Sequence, residues 1–162
     1  MSTPPSAVYQ PSDLSDVVMN GKNTKNALIT NPQTNGVSFG RIPPNNSGVS
    51  EGEIYLKLGV IGHGRERKGA FGVRHVWEKH QKDLGIIKPE DTPRVIAEIL
   101  SEGVDILLSG NTGSRPIALN TKYGVVILEQ KIIDQVTSYS VVSAYGKKNI
   151  TGTVIGQLIK PS

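Results

Sequence analysis

His75 and His80 stand five residues apart in the stretch Gly72-Val73-Arg74-His75-Val76-Trp77-Glu78-Lys79-His80-Gln81-Lys82-Asp83-Leu84-Gly85, which also holds the only tryptophan. Imidazole titrates close to neutral pH, and an imidazole beside a lysine suits proton transfer next to an anion. Zinc chemistry fits less well. Two zinc ligands on one helix normally sit about four residues apart, as in His-Glu-x-x-His. The spacing here is different and the chain has no cysteine to complete a set. Neither a metal nor another cofactor is expected.

A glycine bounds the stretch at each end, so one helix fills it. On that helix Val73, Val76, Trp77, His80 and Leu84 share an apolar stripe, while His75, Glu78, Lys79 and Lys82 lie on the other side. A separation of five residues is roughly 140° around an α-helix. One imidazole therefore points into the apolar stripe, where it is as readily a core residue as a reactive one, and the other leaves from the polar face. Just ahead, Gly62-His63-Gly64-Arg65-Glu66-Arg67-Lys68-Gly69 reads as a basic loop, with Arg65, Arg67 and Lys68 as contacts for a phosphate backbone.

These residues need a scaffold. Glu53 to Leu58 alternates as a strand. A second helix begins near Thr92, with Thr92 as N-cap and Pro93 in the first turn. It presents Val95, Ile96, Ile99 and Leu100, and ends at Gly103. Strands follow over 104–108, 115–119, 123–129, 138–145 and 153–159, with a turn over Ser109–Ser114. Alternation along 138–145 sets Tyr139, Val141, Ser143 and Tyr145 on one face, where a hydroxyl and a phenol can hold a phosphate. Helices followed by strands predict an α+β domain, its helices packed on one twisted antiparallel sheet. Residues 1–50 contain six prolines and many Ser, Asn and Gly. They read as a linker or N-terminal arm with one short helix near Asp13–Met19 capped by Ser12, and 51–162 as the functional domain.

The chain of 162 residues is long enough for one real core, and its net charge of +4 favours phosphate-bearing or acidic partners. No apolar run is long enough to span a membrane, and no secretory signal is expected. Lack of cysteine suits a reducing or an oxidising compartment alike.

The pattern Gly-x-x-His-x-x-x-Lys-His (Gly72, His75, Lys79, His80), a second capped helix and a meander closing on Ser143-Ala144-Tyr145 resembles the barnase/EndoU/colicin/RelE-like ribonucleases. It is similar above all to toxin domains at the C-terminal ends of contact-dependent growth inhibition proteins and their phage-borne relatives. The resemblance covers about residues 53–159. It implies a metal-independent endoribonuclease toxin that cleaves RNA, in particular tRNA, by attack of the 2′-hydroxyl to leave a 2′,3′-cyclic phosphate. His75 and His80 would carry the acid/base chemistry, with Lys79, Ser143 and Tyr145 around the phosphate. The implied partners are RNA and a cognate immunity protein, and a host activating factor stays open. The implied setting is delivery from the producing cell's surface into the cytoplasm of a target bacterium. The residues themselves also fit a non-catalytic basic nucleic-acid-binding domain or a protein-interaction module, although few aromatics are present for base stacking.

Overall fold

The computed structural model describes residues 7–110 and 114–162. Residues 111–113 of the expected 109–114 turn and residues 1–6 of the expected arm lie outside them. Among the described residues the elements run β1 (Val8–Tyr9), α1 (Asp16–Asn20), β2 (Leu28–Ile29), β3 (Ser38–Ile42), β4 (Gly52–Tyr55), α2 (Gly72–His80), α3 (Thr92–Ile99), β5 (Asp105–Leu108), β6 (Ile117–Asn120), β7 (Gly124–Ile133), β8 (Val136–Tyr145) and β9 (Thr153–Gln157). This is an α+β arrangement built on one large sheet.

The sheet has seven strands in the order β3-β4-β8-β7-β6-β5-β9. Its centre is the β7–β8 hairpin. Asp134 and Gln135 close the hairpin with φ of 51° and 67°, the left-handed pair that a two-residue turn between twisted strands requires. The sheet is not wholly antiparallel as expected, because β4 pairs with β8 in parallel. Nor does it stay open. Arg41, in edge strand β3, and Ile159, two residues past edge strand β9, form an antiparallel bridge with N–H···O distances of 3.0 and 3.1 Å. Bulges in the β3–β4, β5–β9 and β7–β8 pairings supply curvature for this closure. At the seam, a Cβ on Gly40 would stand 3.0 Å from Leu158 Cδ2, at a φ of 146° that side chains rarely adopt.

Helices α2 and α3 pack on the inner face of the curled sheet. Val73, Val76, Ile96 and Ile99 share one core with Ile54, Leu56, Leu58, Val126, Leu128 and Val141. Full burial of each such side chain stabilises by about 1.5–3 kcal/mol. Trp77 is only half-buried against this core, so the stripe leaves the core's centre toward the C-terminal end of α2. Thr92 does not cap α3. A 3₁₀ turn over Pro89–Asp91 runs straight into the helix, which makes Thr92 its first residue.

The N-terminal segment, read as a linker or arm, is part of the domain itself. Leu14, Met19, Ile29, Phe39 and Ile42 are buried in the same core as the helices, and β3 is a strand of the sheet. Its Pro, Ser and Asn residues fall in the turns between these anchors, so average composition concealed a few deeply buried apolar side chains. The expected short helix forms as α1, capped by Ser15 rather than Ser12, with Ser15 Oγ accepting the Val18 N–H at 3.3 Å.

Candidate active site

The start of α2 is fixed by close backbone contact. The N–H groups of Val73 and Arg74 donate to the carbonyls of Lys57 and Leu58 at 2.9 and 3.0 Å. Two glycines permit this approach: a Cβ on Gly59 would stand 1.8 Å from the Phe71 carbonyl oxygen, and Gly72 has φ of 80°. The glycine of the Gly-x-x-His pattern thus docks the helix on the strand extension that carries Lys57.

The helix is buried on more than one side. Arg74 is 3% exposed and donates to the carbonyls of Val18 (2.9 Å), Asn23 (2.7 Å) and Gly59 (3.1 Å). It straps the N-terminal segment across α2. His75, expected on the polar face, is 7% exposed, and its Nδ1 is buried without a hydrogen-bond partner. Burial, followed by the charges of His80 and Lys79, lowers its pKa from 6.5 to about 4. At neutral pH it is an uncharged imidazole.

His80, expected on the buried stripe, is the more accessible of the two. The rings nevertheless meet, edge to face, with centroids 5.5 Å apart. Helical side chains lean back toward the N-terminus, and this tilt brings the last residue of α2 over the preceding turn. His80 Nδ1 lies 3.2 Å from Asp83 Oδ1. That carboxylate selects the tautomer with the proton on Nδ1, leaving Nε2 as acceptor. The other Asp83 oxygen accepts the Gly146 N–H at 2.8 Å, which ties the end of α2 to the end of β8. Tyr145 packs on His80 with ring centroids 5.4 Å apart. Burial lowers the His80 pKa, with Asp83 opposing, and burial raises that of Tyr145. A neutral base and a protonated phenol therefore stand side by side. Lys79 is exposed next to them.

Ser143 stands two residues before Tyr145 on β8, on the same face of the strand. The β7–β8 bulge changes the register, so Val141 pairs with Leu128 while Ser143 pairs with Ile127. Val141 belongs to the main core with α2, whereas Ser143 and Tyr145 share the other face of the strand, where Tyr145 packs against the smaller apolar cluster of Leu107, Ile117 and Val125. The expected common face of Tyr139, Val141, Ser143 and Tyr145 is therefore broken in the middle.

The basic loop contributes to a cleft of about 650 Å³ between residues 66–71, β7 and β8. Arg67 and Lys68 line it; exposed Arg65 does not. Arg67 also pairs with Glu78 of α2. Sequence reading missed Lys25, Lys57, Arg115 and Lys131, which join them. It also missed Asp83, although its position three residues after His80 was a readable signal. A larger cavity of about 870 Å³ lies at the seam of the sheet. Of its two carboxylates, Glu53 and Glu102, Glu53 is already engaged by Arg41 (2.7 Å), Ser38 (2.8 Å) and the Ser162 hydroxyl (2.9 Å). Among the described residues no three His, Asp or Glu side chains are grouped to hold a metal ion.

The chain matches no protein-family model, no curated protein and no solved structure. The functional reading therefore rests on the geometry just described.

Proposed function

We propose that this protein is a metal-independent endoribonuclease. The observation that carries the reading is the His80–Asp83 pair with the Tyr145 phenol against it. His80 Nε2 takes the proton of the ribose 2′-hydroxyl. The 2′-oxygen attacks phosphorus, the bond to the 5′-oxygen breaks, and the Tyr145 phenol protonates that leaving oxygen. The products are a 2′,3′-cyclic phosphate and a free 5′-hydroxyl. Asp83 orients the imidazole and stabilises its cation. Lys79 supplies positive charge near the phosphate. His75, uncharged at neutral pH, shapes the pocket and does not act as the acid.

The resemblance to barnase/EndoU/colicin/RelE-like toxins supports this reading and extends it to tRNA as substrate and an immunity protein as partner. Incubation with total bacterial RNA in EDTA tests it, with end-group analysis of the fragments. Discrete cuts ending in 2′,3′-cyclic phosphate are expected. RNA left intact at neutral pH would sink the proposal. A second reading, RNA binding without cleavage, is favoured by a cationic cleft whose lining includes neither His75 nor His80. Retardation of RNA in a gel without fragmentation would select it.

A further inference from the structure

The cleft concentrates the charge of the molecule. Its lining carries six cationic side chains (Lys25, Lys57, Arg67, Lys68, Arg115 and Lys131) against the carboxylates of Glu66 and Glu129. That leaves twelve cations and twelve Asp or Glu residues on the rest of the chain, so the net +4 resides here. Glu129 is already shared between Arg115 and Lys131, each at 2.7 Å. Lys57 is half-buried, and its proton affinity is lowered first by burial and then by the charge of Lys131. Holding a half-buried ammonium beside a second cation costs free energy, which an incoming anion recovers.

We propose that this cleft binds the phosphates of an RNA backbone, with Lys57 and Lys131 as paired ligands. The choice of RNA rests on the ribonuclease reading. The lining favours a nucleic acid over an acidic protein. Apart from Ala70, Phe71 and Val142 it is polar or glycine, whereas the centre of a protein interface is apolar and rich in aromatics. With Phe71 the only aromatic in the lining, the cleft grips the backbone rather than stacking bases, so binding is largely independent of sequence. Arg67 lines the cleft and pairs with Glu78, on the same helix as His80. A strand held here is thereby led along α2 toward the imidazoles.

Binding is measured with the full chain and a fluorescent single-stranded oligodeoxynucleotide, which lacks the 2′-hydroxyl and stays intact. The Lys57→Met/Lys131→Met double variant is expected to bind at least tenfold more weakly. The slope of log affinity against log salt should fall by about 1.4, at roughly 0.7 per lost phosphate contact. Inorganic pyrophosphate should compete with the oligonucleotide. Circular dichroism reports the fold; if the double variant is unfolded, Lys131→Glu, at an exposed side chain, is used and should also weaken binding tenfold. The proposal is overturned if the wild type does not bind at low salt, or if the variant binds within twofold of it with the same slope. Tighter binding of poly-L-glutamate than of the oligonucleotide would also overturn it, pointing to an acidic protein. Weakened binding by the variant, with no RNA cleavage by the wild type, would uphold the cleft and sink the ribonuclease reading. Cleavage by the wild type with unaltered binding by the variant would do the reverse.

Discussion

His75 and His80 differ in burial and partners, and that difference divides their roles. His80→Ala is expected to lose about 10²–10⁴-fold in RNA cleavage with the fold intact, the usual contribution of a positioned acid or base. Asp83→Asn removes the group that favours the charged imidazole, so the His80 NMR titration should move to lower pH. An unmoved midpoint would exclude Asp83 as its partner. His75 bears on stability instead. Its folded pKa, about 4, lies below the ordinary value of 6.5. The unfolded chain therefore takes up the proton first, and stability is lost as pH falls from 6.5 toward 4. The full loss is about 3 kcal/mol, at 1.36 kcal/mol per pKa unit. Urea melts of the wild type and His75→Phe at pH 7.5 and 4.5 test this: the variant should lose less stability on acidification.

At the scale of elements, α2 depends on what covers it. Arg74→Met would remove the charged donor shared by the carbonyls of Val18, Asn23 and Gly59, of which Val18 keeps the Gly21 N–H and Asn23 the Thr24 hydroxyl. Hydrogen bonds from a charged group contribute about 1.5–3 kcal/mol each, with part of that recovered by relaxation, so a loss of roughly 2–4 kcal/mol is expected in chemical denaturation. Deletion of residues 1–45 is a harsher test. The composition of the segment suggested that it was dispensable, yet it supplies Leu14, Met19, Ile29, Phe39 and Ile42 to the core and β3 to the sheet. At about 1.5–3 kcal/mol for each buried side chain, the loss rivals the whole stability of a typical domain. The truncated chain should be unfolded by circular dichroism; a cooperative melt near that of the full chain would contradict this.

At the scale of the molecule, the seam between Arg41 and Ile159 turns a twisted sheet into a nearly closed one. Gly40→Ala places a Cβ against Leu158 at a strained φ and should loosen the seam. Hydrogen exchange at the Arg41 and Ile159 amides should then rise at least tenfold, with the β7–β8 amides little changed. Uniform acceleration across the sheet would mean that the seam and the hairpin open as one unit.

Much was legible in the residues themselves. The strand that became β4, the two helices and the five later strands all follow from apolar periodicity and turn residues, which are local properties. The basic character of the 62–69 loop and the imidazole-bearing helix were equally plain. Their surroundings were not. Periodicity says that one side of α2 is apolar, but whether its other side meets solvent depends on a distant segment, here strapped across it by Arg74. A single bulge set Ser143 and Tyr145 on the face opposite Tyr139 and Val141, and such a register shift leaves no mark in an alternating strand. The cationic cleft draws on residues from Lys25 to Val142. Only the closing of long loops by the sheet brings them together, because charge at one position carries no information about which remote charge will share its space.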